Sequence, residues 1–290
     1  MLVDEDYHGE ITLKYTFSTD IPLYGLKLAL EDASQHNIYF NGEEISSTPD
    51  GCYFSRSFET VSLPKVEAGE NIIELKREFV PLEKMKSGIG SLFEERKGVE
   101  LEFAYLIGDF AVKATAEPER NGNLRYARKM SLTQEKNTVF GELTKEGYPF
   151  FAGTVSLTKE FELDTEGKAY LTLDELDGCI VKVMINGKEC GFMHCPPYRI
   201  EITDALENGE NVLTLELTNT LRNLLGPYHR PEGEVGRIGG GYGFPDYSWI
   251  GVVNADEKTW YNNRVPDTKR WTDSYMCVAL GVQNAKIEVE

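Results

Sequence analysis

Asn37-Ile-Tyr-Phe-Asn-Gly-Glu-Glu-Ile45, followed by Glu67-Ala-Gly-Glu-Asn-Ile-Ile-Glu-Leu75, is written a second time later in the chain. The second version is Val181-Lys-Val-Met-Ile-Asn-Gly-Lys-Glu189, followed by Glu207-Asn-Gly-Glu-Asn-Val-Leu-Thr-Leu215. An offset of 145 separates Asn41 from Asn186, and 140 separates Asn71 from Asn211, so the first copy holds five more residues between its landmarks. Solenoid repeats recur every ~20–50 residues, so a period this long reads as a duplicated domain. The expectation is two domains, 1–140 and 141–290.

Around these landmarks the apolar residues alternate. Ile11, Leu13, Tyr15 and Phe17 do so, as do Leu26, Leu28 and Leu30, Leu171 and Leu173, Val181, Val183 and Ile185, and Leu213, Leu215 and Leu217. A period of two puts one face of a strand into a core and the other toward solvent. Each Asn-Gly pair closes an apolar strand, where both residues tolerate the positive φ of a tight hairpin. Short strands with regular turn signals predict an all-β chain of two tandem β-sandwiches of the jelly-roll kind. One short helix is the most that Pro81 to Arg96 offers. The break between domains falls in the turn-rich stretch Glu117–Asn123. After it, Leu124, Tyr126, Met130 and Leu132 are too apolar for a free linker and predict a strand paired with one of the domains.

Composition narrows the function. A chain of 290 residues with 41% hydrophobic content can bury two cores. A net charge of −18 opposes nucleic acid and anionic membrane as partners, since phosphate binding needs clustered Lys and Arg. It does not oppose a neutral ligand such as a sugar. No apolar run of about 18 residues is present to span a membrane. The start, Met1-Leu-Val-Asp-Glu-Asp-Tyr-His8, lacks a basic-then-apolar export pattern, which points to a cytoplasmic chain or a piece of a larger protein. The five cysteines, Cys52, Cys179, Cys190, Cys195 and Cys277, form no even framework and are expected as thiols. Cys190, His194 and Cys195 lack the second matching pair of a zinc site and read as small half-buried residues in strands. Asp and Glu in loops offer oxygen ligands for a structural Ca²⁺, but no loop has regular ligand spacing. No metal or cofactor is expected.

A resemblance rests on five stretches taken in order. They are Tyr148-Pro-Phe-Phe-Ala-Gly153, Ile185-Asn-Gly-Lys188, Pro197-Tyr-Arg-Ile-Glu-Ile-Thr203, Gly209-Glu-Asn-Val-Leu213 and Thr218-Asn-Thr-Leu-Arg-Asn-Leu-Leu225. This order resembles the galactose-binding-like jelly roll that accompanies catalytic barrels in family-2 and α-L-rhamnosidase-like glycoside hydrolases. The first copy is similar but more diverged. Its end, Tyr105-Leu-Ile-Gly-Asp-Phe-Ala-Val112, stands where the second has Tyr275-Met-Cys-Val-Ala-Leu-Gly-Val282. The resemblance implies the fold and an association with carbohydrate enzymes. It implies no catalytic residue here, because that family's acid and nucleophile sit on a barrel of about 250 residues.

Each domain makes a long excursion before its closing strand. The second, 226–273, contains all three tryptophans of the chain. Sugars offer an apolar C–H face to aromatic rings and hydroxyls to charged or amide groups. Trp249, Tyr247 and Tyr242, beside Asp246, His229 and Arg230, supply both kinds of partner. A loop of this length also needs a small core of its own, so the same rings serve equally to pin it to the sandwich or to pack against a partner domain. The glycine-rich run Gly236–Gly243 neither follows a clear strand nor opens a helix, which argues against a phosphate cradle. No G-x-S-x-G elbow occurs.

The expected function is a non-catalytic carbohydrate-binding or architectural part of a glycoside-hydrolase-like protein. Its partners would be a glycan or sugar and a catalytic barrel domain. Two alternatives stay open: a small stand-alone hydrolase with its site in the 226–273 excursion or between the domains, and a purely structural scaffold.

Overall fold

The computed structural model describes residues 7–81, 98, 99, 101, 103–114, 119–121, 124–137, 140–226, 229 and 274–290. They are almost entirely β-structure. Helix among them amounts to one turn, α1 (Arg222–Leu225), and the 3₁₀ turns Ala33–Gln35 and Thr203–Ala205. No helix among them is long and apolar enough to cross a membrane. The predicted helix within Pro81–Arg96 lies, apart from Pro81, outside the described residues.

The chain folds as two compact units. The first contains the described residues up to Phe110 together with Ser131–Gln134. The second contains Ala111–Met130 and the described residues from Glu135 onward. Residues Ala111–Met130, on the N-terminal side of position 140, therefore go with the second unit.

The strands in chain order begin with β1 (Gly9–Thr19), β2 (Lys27–Glu31), β3 (Asn37–Phe40), β4 (Glu43–Ile45), β5 (Gly51–Tyr53), β6 (Ser55–Ser62), β7 (Gly69–Phe79) and β8 (Tyr105–Ile107). Then come β9 (Ala111–Ala114), β10 (Glu119–Asn121), β11 (Leu124–Ala127), β12 (Met130–Thr133), β13 (Gly141–Glu142), β14 (Thr154–Leu163) and β15 (Ala169–Asp177). The last are β16 (Ile180–Ile185), β17 (Lys188–Met193), β18 (Arg199–Glu201), β19 (Gly209–Thr218), β20 (Tyr275–Val278) and β21 (Gly281–Val289).

In the first unit, one sheet runs β4-β3-β7-β1 with β12 parallel to β1, and the other runs β5-β6-β2-β8. In the second, one sheet runs β14-β19-β16-β17, another β13-β21-β15-β18, and a third β10-β11-β20. Leu157, Val181, Val183, Ile185, Leu213, Leu215 and Leu217 from the first of these sheets share one core with Ala169, Leu171, Leu173 and Val282 from the second, a β-sandwich. Each of the Leu, Ile and Val side chains, fully buried, contributes roughly 1.5–3 kcal/mol. In the first unit Leu26, Leu28, Leu30, Ile38, Phe40, Val61, Ile73 and Leu75 are buried in the same alternating manner.

The repeated letters occupy matching places. Asn41-Gly42 joins β3 to β4 and Asn186-Gly187 joins β16 to β17. Both residues of each pair have positive φ, 51° and 87° in the first and 52° and 77° in the second, as a two-residue primed turn requires. A Cβ at either glycine would meet nothing within 4 Å, so the backbone angle and not space selects glycine. Asn41 Nδ2 donates to Asn71 Oδ1 (2.9 Å), and its Oδ1 accepts from Ile72 N (2.8 Å). Asn186 makes the same two bonds, to Asn211 Oδ1 (2.8 Å) and from Val212 N (2.8 Å). Asn71 and Asn211, each 1% exposed, then donate to the carbonyls of Glu67 and Gly69, and of Glu207 and Gly209.

The closing strands depart from the sequence reading. Tyr105–Ile107 lies antiparallel to β2, but Tyr275–Val278 pairs with β11, and it is Gly281–Val289 that lies beside β15. Similar letters aligned the two ends, but strand pairing is decided by which edge is open, a non-local property. The strand expected after residue 123 is present as β11, paired with β20, and β12, beside β1.

Candidate functional site

The foot of the 226–273 excursion consists of the described residues at its two ends, 218–226, His229 and 274–278. Of the six residues expected to bind sugar, Trp249, Tyr247, Asp246, Tyr242 and Arg230 lie outside the described residues. His229 is half-buried, with its ring centroid 4.6 Å from that of Tyr275. The ring of Tyr275 in turn meets Phe150 edge-on at 5.7 Å.

The outgoing stem follows from the run Thr218–Leu225. Asn219 Oδ1 accepts from Gly153 N (2.9 Å) while its Nδ2 donates to Phe151 O (2.8 Å), tying the end of β19 to the strand entry at 153. The chain then makes the single turn of α1 and leaves through Gly226 at φ 82°. Within that turn Asn223, 2% exposed, donates to Val278 O (2.8 Å) and accepts from Val278 N (2.7 Å). A side-chain amide thus stands in for a neighbouring strand beside β20, satisfying backbone groups that would otherwise be buried unpaired. The returning stem is fixed at Ser274, whose Oγ accepts from Arg128 Nε at 2.6 Å.

In β11, the strand paired with β20, lies a buried ion pair. Arg125, 2% exposed, donates through Nε and Nη2 to the two carboxylate oxygens of Glu142, the second at 2.8 Å. Glu142 also accepts from Thr144 Oγ1 (2.8 Å), with Lys145 Nζ at 3.5 Å. Burial pushes the Glu142 carboxyl up, but the bonds from Arg125 and Thr144 outweigh it and hold the group below its ordinary range. A carboxylate committed to that many donors is a structural anchor and a poor proton carrier. Asp177 is shifted the other way: burial pushes its carboxyl up against the lowering influence of Arg125. Burial also pushes the Cys277 thiol up to about 12, which leaves it no thiolate character as a nucleophile.

No disulfide joins the five cysteines. Among the described residues no group of three or more His, Cys, Asp or Glu is placed to hold a metal. Cys190 is half-buried in β17 as expected, but Cys195 is exposed and beyond the strand, which corrects the reading of both as half-buried strand residues. The chain turns outward after Met193 and takes Cys195 with it.

Sequence reasoning singled out the rings of the excursion and missed its foot. Asn219 and Asn223 stand in a quoted motif, but nothing in the letters says that their amides replace backbone. Arg125 sits between Leu124 and Tyr126, and an Arg in an alternating strand reads as its solvent face. The signal that finds it is Glu142, 17 residues away.

No protein-family model matches the chain. Over 85 residues it is 34% identical to a putative beta-glucuronidase of Formosa agariphila, a stretch amounting to 28% of this chain and 7% of that protein. Among solved structures it is similar to a rhamnosidase from Novosphingobium sp. PP1Y, with a TM-score of 0.28 and 15% identity over 73% of this chain and 19% of that one. A beta-glucuronidase from Bifidobacterium dentium, complexed with coumarin-3-O-glucuronide, matches with a TM-score of 0.21 and 25% identity over 23% of this chain and 12% of its own. The chain thus spans a small part of each of these relatives.

Proposed function

We propose that this chain is a pair of galactose-binding-like jelly rolls forming a non-catalytic carbohydrate-binding and architectural part of a glycoside-hydrolase-like protein. The observation that carries the reading is the 34% identity to a putative beta-glucuronidase, confined to 7% of that protein. The described residues form mostly antiparallel sheets with one α-helical turn among them, not the alternating strands and helices of a catalytic barrel. The matching Asn41–Asn71 and Asn186–Asn211 bonds support a common module used twice. In this reading Trp249, Tyr247 and Tyr242 stack on the sugar, while Asp246, His229 and Arg230 take its hydroxyls.

The architectural share of the proposal has its own support. Asn223 and Arg128 hold described residues at the two ends of the excursion, an arrangement that suits a platform for a partner domain. The test is to titrate the full chain with neutral mono- and oligosaccharides while assaying the same mixtures for released sugar. Binding without turnover is expected. Turnover by the isolated chain would favour the stand-alone hydrolase, and absence of all binding would leave only the scaffold.

A further inference from the structure

The sheet β5-β6-β2-β8 of the first unit carries a built row of rings on the face opposite its core. Residues directly opposite in antiparallel strands share a face. The registers Glu31↔Phe58, Ala29↔Thr60, Lys27↔Ser62 and Ala29↔Tyr105 therefore place Lys27, Phe58, Thr60, Ser62 and Tyr105 together. Phe58 and Tyr105 belong to strands two apart, separated by roughly 9–10 Å of sheet. Their ring centroids are nevertheless 5.6 Å apart, so the rings lean toward each other across β2, where the residue between them is the small Ala29. Phe54 continues the row at 4.6 Å from Phe58, and Tyr53 meets Phe54 edge-on at 5.4 Å.

Phe54 is the residue that folding does not explain. It sits between the paired Tyr53 and Ser55 at a φ of 39°, a region that favours glycine and disfavours a bulky side chain. It is also 46% exposed, so core burial does not compensate for that strain. The ring is held outward at the end of an aromatic row, and its backbone is strained to do so.

The polar end of the same face is equally organised. Asp50 Oδ1 accepts from Lys27 Nζ (2.9 Å) and Thr60 Oγ1 (2.7 Å), and Oδ2 accepts from Ser62 Oγ. Ser62, exposed, gives its hydrogen to Asp50, so its lone pairs stay available as acceptors, and Lys27 keeps further N–H donors, while Thr60, 2% exposed, serves only to hold Asp50 in place. Phe58 and the exposed Ser62 are four residues apart along β6, roughly 13 Å, on one face, so rings and hydrogen-bonding groups border the same stretch of sheet.

We propose that this face is a sugar-binding site, with Phe54 and Phe58 stacking against the C–H face of a neutral glycan and the Lys27–Asp50–Ser62 cluster meeting its hydroxyls. The assignment rests on the carbohydrate-binding reading above but uses none of the residues of the 226–273 excursion. The charge argues for a neutral occupant: Lys27 is already paired, Glu31 lies on the same face, and the chain carries −18. Uronates are correspondingly disfavoured. Affinity is weak, since a few rings and hydrogen bonds oppose the entropy of association.

The test is calorimetric titration of the full chain with neutral gluco-, galacto-, manno- and xylo-oligosaccharides, with glucuronate as the charged control. Phe54→Ala should weaken the best neutral ligand at least tenfold with an unchanged melting temperature. Phe54→Trp should restore the binding. Phe54→Gly, which relieves the strained φ, should lose binding while melting no lower than the parent. Trp249→Ala, tested in parallel, should leave this site's binding in place. Unchanged affinity in Phe54→Ala overturns the assignment, and if Trp249→Ala alone abolishes binding, the carbohydrate reading survives without it. A parent chain that binds none of these sugars overturns both.

Discussion

The outer faces of two sheets, one in each unit, use aromatic residues in opposite ways. On β5-β6-β2-β8 the row Phe54–Phe58–Tyr105 ends in a ring that is 46% exposed. On β13-β21-β15-β18 the ring of Tyr170 is capped by the Arg199 guanidinium, 3.4 Å from its centroid. Arg199 is itself held by Glu290 at 2.6 Å and Glu288 at 3.6 Å, and Lys286 pairs with Asp174 at 2.9 Å. A cation over a ring takes the π-face that a sugar would use. The contrast teaches that similar strand scaffolds can present or close an aromatic face according to where their charges fall. In the first unit the charges gather at Asp50, beside the rings; in the second they lie over the ring.

The largest expected effect probes a feature of the second unit. Glu142→Ala leaves Arg125 buried without its partner and should cost about 3–5 kcal/mol, read from the urea midpoint of the full chain. Replacing both residues by apolar ones of similar volume should recover most of the loss. A cost below about 1 kcal/mol for Glu142→Ala would show that the pair does not stabilise the second unit.

The next effect tests what the units share. Asn71→Ala and Asn211→Ala each remove a buried amide that serves a neighbouring Asn and two carbonyls. Each should cost about 1–3 kcal/mol, and by similar amounts. A large cost in one unit alone would mean that matching geometry hides different energetics.

The smallest effect concerns acid. Bonds from Ser62, Lys27 and Thr60 lower the Asp50 carboxyl from 3.8 to about 2. A depressed carboxyl stabilises the fold above its unfolded pKa, and that contribution fades as pH falls from about 3.8 toward 2. With 34% of the side chain exposed, the effect is small. Asp50→Asn should flatten the stability profile in that window, leaving the acid dependence that comes from Glu142. An unchanged profile would mean the cluster is not formed in solution.

The strands and both hairpins were legible because their signals are local: alternation of Leu, Ile and Val, and Asn-Gly where φ must be positive. Asn71 and Asn211 were visible as repeated letters, but their bonds to the turn asparagines cross 30 and 25 residues. Arg125 was illegible because a charged residue in a strand reads as exposed until its partner is known. Phe54 was passed over because Gly51-Cys-Tyr-Phe54 reads as an unremarkable run into a strand, and no pattern announces a positive φ at phenylalanine. The residues chosen from composition, Trp249 and Tyr247 above all, remain part of the proposed site.

Chemical-shift mapping of the isotope-labelled full chain during titration with its best neutral oligosaccharide tests the contrast between the two faces most directly. The account predicts saturable shifts at Phe54, Phe58 and Ser62, with Tyr170 and Arg199 unmoved. Saturable shifts at Tyr170 and Arg199 with none at Phe54 would contradict it.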